Sequence, residues 1–150
     1  LGAHLSDEFA ISVVPAPADR TLLAQMIYYG KRFYIKDILL PDTADEIKIS
    51  YTEKEMNWVK ENERFIWQYF IENELLYKTQ SSYLLRFIEP APFSKFYLEI
   101  DNESPGKIGQ WLGWQIVRAF VSKNPDKTPQ QILATPAQEL FTKANYKPAK

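Results

Sequence analysis

The stretch "PGKIGQWLGWQIVRAFV", Pro105 to Val121, decides the fold. Its apolar residues are spread around the helical circumference, so a helix here is enclosed by other elements instead of lying on a surface. Gly109 and Gly113 stand four residues apart and fall on one side of that helix. A glycine inside a helix costs about 1 kcal/mol relative to alanine. Two on one face predict that another backbone approaches too closely for a side chain. The spacing therefore predicts a buried central helix over 105–123. Lys107, Gln110, Gln115 and Arg118 argue against membrane insertion, where such side chains are expensive.

Upstream, "LLAQMIYYGKRFYIKDILLPD" places Leu22, Leu23, Met26, Ile27, Gly30, Phe33, Tyr34 and Ile38 at helical spacing until Pro41. With Asp19 as N-cap, this predicts a helix over 20–40. Thr52 and Glu55 have the spacing of a capping box and open another helix. A break near Asn62 leaves its main body at 63–77, with Phe65, Ile66, Tyr69 and Phe70 in i, i+4 pairs. Downstream, Ser104-Pro105, Thr128-Pro129 and Thr135-Pro136 repeat one device: proline surrenders an amide that lacks a partner in the first turn, and the hydroxyl before it caps. Gln131 and Gln138 strengthen the last two, predicting helices over 105–123, 129–134 and 136–144.

The "AISVV" run before Pro15 and Pro17 makes residues 1–18 an extended or loop-like entry. Asp42 to Ser50 reads as a polar link, and Arg86 to Ile100 as a loop anchored by Phe93, Phe96, Tyr97 and Leu98. The expected fold is mainly α, a single helical domain over 1–150 with five or six helices and little or no sheet. Helices 20–40 and 63–77 pack on 105–123. Leu1 is not an initiator methionine and the first residues show neither a charged nor an apolar leader segment, so the chain reads as the C-terminal part of a longer one.

With 150 residues, a formal charge of -1 and dispersed lysines and arginines, the chain lacks the basic stripe that attracts nucleic acid. Zero cysteines exclude disulfides and thiolate catalysis. His4 is the only histidine, which excludes Ser-His-Asp catalysis and a two-histidine zinc motif within these residues. Near Asp7 and Glu8 it reads as a surface residue, so neither metal nor cofactor is assigned. Glu99, Asp101 and Glu103 gather ahead of the central helix and read as helix-end electrostatics. Aromatics make up 15% of the chain and fall mostly at core spacing, with Trp114 and Arg118 as the expected partly exposed pair.

The phrases "LLAQMIYYGKRFYIKDILLPD", "YTEKEMNWVKENERFIWQYFIENELLY", "RFIEPAPFSKFYLEIDNESPGKIGQWLGWQIVRAF" and "ANYKPAK" occur in order from Leu22 to Lys150. Together they resemble the C-terminal part of the GldB family of gliding motility-associated lipoproteins of Bacteroidetes. That family in turn resembles predicted zinc-dependent proteases, which carry H-E-x-x-H upstream and an Ile-x-Glu-Gly-like phrase on a later helix. Here the matching phrase is Ile27-Tyr28-Tyr29-Gly30, with Tyr29 in the glutamate's place. A neutral phenol with a pKa of about 10 is a poor substitute for a carboxylate beside a divalent metal.

The resemblance implies the C-terminal helical part of a zincin-like fold without enzymatic activity. It also implies a non-catalytic component of the gliding motility and associated secretion machinery in the cell envelope. Partner proteins of that machinery are expected, together with attachment to a membrane through an N-terminal lipid absent from these residues. A remnant cleft is expected at Tyr28, Tyr29, Lys107, Trp111 and Arg118. Two alternatives stay open: a zinc-dependent peptidase whose metal motif lies upstream of Leu1, and a peptide- or glycan-binding module that reuses the cleft.

Overall fold

The computed structural model describes residues 2–17, 19–89 and 105–148. Eight α-helices follow one another in them: α1 (Gly2–Val13), α2 (Leu22–Leu39), α3 (Asp45–Ile49), α4 (Glu53–Glu72), α5 (Ser81–Phe87), α6 (Ile108–Lys123), α7 (Pro129–Ala134) and α8 (Ala137–Ala144). A 3-10 turn covers Leu75–Tyr77. No strand occurs among the described residues. The fold class is the mainly helical one expected, with more and shorter helices than five or six.

The expected central helix is α6, which packs on α1's neighbour α2 more extensively than any other pair of elements packs. Ile108, Leu112, Trp114, Ile116, Val117 and Phe120 of α6 have no exposed surface. Each large apolar side chain so buried contributes about 1.5 to 3 kcal/mol. The crossing is backbone on backbone. A Cβ placed on Gly113 would stand 1.9 Å from the Met26 carbonyl oxygen, and one on Gly30 would stand 2.3 Å from the Gly113 carbonyl oxygen. Around this contact Phe33 stacks on Trp114 with ring centroids 4.7 Å apart. Gly109 performs the same service for α5, where an added Cβ would lie 2.9 Å from the Phe87 carbonyl oxygen.

Two caps form as the sequence predicts. The Thr52 hydroxyl accepts from the Glu55 amide at 3.1 Å and the Glu55 carboxylate accepts from the Thr52 amide at 2.9 Å. Thr128 and Gln131 repeat the exchange at 3.2 and 2.8 Å, with Pro129 at the first position of α7. Other boundaries differ. The N-cap of α2 is Thr21, not Asp19, whose carboxylate instead accepts from the Thr21 amide and hydroxyl at 2.8 and 2.6 Å. α4 runs unbroken through Asn62, whose side-chain amide donates back to the Trp58 carbonyl at 2.8 Å, and it ends at Glu72, short of 77. α6 starts at Ile108 after Lys107, so Pro105 precedes the helix and does not open it. The Thr135 hydroxyl donates to the Gln131 carbonyl at 2.7 Å, which removes it from the start of α8.

The extended entry expected over 1–18 is corrected by α1. "ISVV" completes its last turn, with the Val14 amide donating to the Ala10 carbonyl at 3.0 Å, and Pro15 and Pro17 come only afterwards. Ala10 and Val14 are buried in the core that α2 shares, and packing of this kind overrides the weak helix preference of β-branched residues. The expected link 42–50 likewise contains α3. The anchors Phe93, Phe96, Tyr97 and Leu98, the acids Glu99, Asp101 and Glu103, the capping residue Ser104 and the side chain of His4 lie outside the described residues.

Lysines finish several helices from a distance. The Lys31 ammonium, on α2, donates to the Leu133 and Thr135 carbonyls at 3.0 and 2.7 Å and so caps the end of α7. Lys123 does the same for the Ala144 carbonyl at the end of α8. A cation at a helix C-terminus meets both unpaired carbonyls and the negative end of the macrodipole. No helix among the described residues is long and apolar enough to cross a membrane.

Candidate functional site

A polar cleft of about 270 Å³ opens where α1, α2, the end of α3 and the start of α6 meet. Tyr29, Arg32, Phe33 and Lys36 line it from one face of α2, where their spacing of three and four residues places them together. Lys48 and Ser50 reach it from the end of α3, Lys107 and Gln110 from the start of α6, and Asp7 from α1. Among the described residues, four cations thus share the lining with one carboxylate.

Each lysine of the cleft is anchored. Lys36 Nζ lies 2.6 Å from the Asp7 carboxylate and donates to the Lys48 carbonyl at 2.6 Å. Lys48 Nζ pairs with Asp37 at 3.0 Å. Lys107 donates to the Ile49 carbonyl, and its ammonium stands 5.3 Å from the centre of the Tyr51 ring. Lys36 and Lys107 together cap α3, which is too short to be stable on its own. Burial pushes the Lys107 pKa down, and the neighbouring Lys36 charge adds to the shift.

Arg32 is held differently. Its guanidinium lies over the Tyr29 and Tyr28 rings, 4.8 and 5.6 Å from their centroids, and a side-chain hydrogen bond joins it to Tyr29. Burial pushes the Tyr29 phenol up, while the Arg32 charge acts in the opposite direction. Ser50 and Lys107 adopt left-handed backbone with φ of 61° and 63°. Such conformations cost of order 1 to 3 kcal/mol in a residue with a side chain, and here both belong to the cleft wall. The chemistry on offer is ammonium, guanidinium, phenol, hydroxyl and amide donors around negative charge. No group of three or more His, Cys, Asp or Glu side chains suited to a metal occurs among the described residues.

The structure divides the five residues singled out in the sequence. Tyr29 and Lys107 line the cleft, and Tyr28 adjoins it, edge-on to the Tyr29 ring at 5.2 Å. Trp111 and Arg118 do not line it, because carboxylates on other elements hold them. Trp111 Nε1 donates to Glu63 of α4 at 2.8 Å, and the Tyr146 hydroxyl donates to the other oxygen of the same carboxylate at 2.8 Å. Arg118 donates to both oxygens of Asp37 at 2.9 and 3.1 Å and to both oxygens of Asp45 at 2.8 and 2.9 Å.

Trp114 is fully buried, not partly exposed as expected. It donates from Nε1 to Asp37 at 3.0 Å and lies under the Arg118 guanidinium at 3.9 Å. Burial works against the Arg118 charge, but the Asp45 and Asp37 carboxylates outweigh it and raise the pKa. Arg32, Lys36 and Lys48 escaped the sequence reading because they are far from Lys107 along the chain. The signal available was a run of cations, Lys31, Arg32 and Lys36, within a helix that is otherwise aromatic and aliphatic.

Comparison with known proteins supplies one match. The family model described as gliding motility protein GldB covers residues 1–148, and the chain belongs to that family. No curated protein and no solved structure matches the chain.

Proposed function

We propose that this member of the GldB family serves gliding motility as a non-catalytic binding component of the machinery in the cell envelope, tied to a membrane by a lipid on the full-length protein. The family match over residues 1–148 carries the reading. The cleft supports it, since its lysines are bonded into the ends of helices and to carboxylates, an arrangement suited to a fixed receptor surface. In this reading the Tyr29 region is the remnant of a metal-dependent ancestor, and its present use is recognition.

Two measurements on the full-length protein test the proposal. A deletion strain carrying the wild-type gene should recover colony spreading, and one carrying the Arg32→Gln variant should recover it poorly at equal protein level. Elemental analysis after dialysis against a mild chelator should find well under one zinc per chain. Near one zinc per chain, with peptide cleavage lost on its removal, would replace the binding component by a peptidase. Full spreading by a strain without the protein would end the motility reading.

A further inference from the structure

We infer that the cleft between α2, α3 and α6 is a binding site for a phosphate group. The inference rests on the cleft alone and stands whether or not the protein serves motility. Arg32, Lys36, Lys48 and Lys107 line it, with Asp7 as the lining carboxylate among the described residues. Asp37, the partner of Lys48, is also engaged by Arg118 from the far side. Among the described residues the cleft lining therefore carries more positive than negative charge, with Glu55 near enough to Lys107 to offset part of it. Lys36 and Lys107 lie close enough for the one charge to disfavour the other, a repulsion that a bound anion would relieve.

The donors converge from separate elements. The Arg32 fork comes from α2, the Lys107 ammonium from the start of α6 and Ser50 from the end of α3, while the Gln110 amide nitrogen beside them donates to the Ile88 carbonyl at 2.8 Å. A phosphate monoester carries close to two negative charges at neutral pH and three strong acceptor oxygens, which suits several donors arriving from different directions. A single carboxylate has half the charge and one plane of acceptors. At about 270 Å³ the cleft has room for a phosphate with a small substituent. Arg32 is the residue through which a ligand adds most, because its described partners are the Tyr28 and Tyr29 rings and the Tyr29 hydroxyl, none of them a carboxylate, and its planar donors suit an oxyanion.

Thermal unfolding and titration calorimetry of the purified protein with inorganic phosphate test this, with sodium chloride and sodium acetate at matched ionic strength as references. Phosphate should raise the unfolding midpoint above both references. Arg32→Gln should weaken phosphate binding about tenfold or more, the loss of one charge-assisted hydrogen bond, without lowering the midpoint in chloride. Lys54→Gln, on the exposed side of α4, should leave phosphate binding unchanged. Vesicles of phosphatidylcholine with and without phosphatidic acid separate the sources. Binding of free phosphate supports a soluble ligand, and binding only to phosphatidic acid vesicles, lost in Arg32→Gln, supports a lipid headgroup. A midpoint shift reproduced by acetate or chloride, or one unchanged in Arg32→Gln, overturns the assignment.

Discussion

Replacing Gly113 with alanine tests the crossing on which the fold is built. The new methyl carbon would stand 1.9 Å from the Met26 carbonyl oxygen, about 1.5 Å short of where ordinary contact begins at 3.4 Å. That oxygen is main chain inside α2 and does not swing aside, so the two helices must part. Helix propensity favours alanine by about 1 kcal/mol. Against it stands an overpacking cost near the upper end of 1 to 3 kcal/mol. Parting the helices also strips contact from the layer around Phe33 and Trp114, where a gap of even 1 Å forfeits roughly a quarter to a half of each attraction. The expected net loss is about 3 kcal/mol, or roughly 6 to 12 °C in midpoint for a chain of this size. Urea unfolding followed by tryptophan fluorescence reads it. Gly30→Ala should lose somewhat less and Gly109→Ala least, since the latter meets α5 and the movable end of Ile88 at 2.9 and 3.0 Å. The Gly30→Ala, Gly113→Ala double variant should lose less than the sum, because one separation serves both methyls. A Gly113→Ala protein as stable as the parent would refute the close crossing.

Asp37→Asn should cost about 2 kcal/mol in urea unfolding, since one carboxylate serves Trp114, Lys48 and Arg118 while remaining partly solvated. Glu63→Ala should cost about 2 kcal/mol as well, leaving the Trp111 indole and the Tyr146 hydroxyl without their acceptor, and should loosen the C-terminal segment toward proteolysis. The Arg118 hydrogen bonds hold the Asp45 carboxyl below its ordinary 3.8, against the opposing effect of burial. Asp45 therefore contributes stability that is complete above pH 3.8 and is lost as acid carries the pH through its lower folded value. The gap between wild type and Asp45→Asn should be widest at neutral pH and shrink below 3.8. A gap that widens in acid would contradict the Arg118 assignment.

Features set by neighbouring residues were legible in the sequence. The capping boxes at Thr52 and Thr128 require side chains three residues apart, and both formed as read. Gly113 announced that a backbone comes near, yet its counterpart Gly30 passed as one more member of an apolar face, because pairing across the fold leaves no local mark. α1 was hidden by prolines that lie beyond its end and by core contacts that no propensity records. α3 depends on Lys36 and Lys107, from elements before and after it, so its five residues alone read as a link. The site was half legible for the same reason. Tyr29 and Lys107 were singled out, but their neighbours Arg32, Lys36 and Lys48 become a group only when three elements meet. Trp111 and Arg118 are drawn aside by carboxylates on α4, α2 and α3.

The lysine that closes α7 from afar has a use beyond holding it. An ammonium lodged on carbonyl oxygens and buried with them presents no free amine to an acylating reagent, so Lys31 should remain unmodified while exposed lysines such as Lys54 and Lys60 react. It would become available only when α7 lifts from α2, which makes its rate of labelling a clock for one local opening. Mass spectrometry of a timed acylation would then time that opening, using a reporter that the sequence already contains.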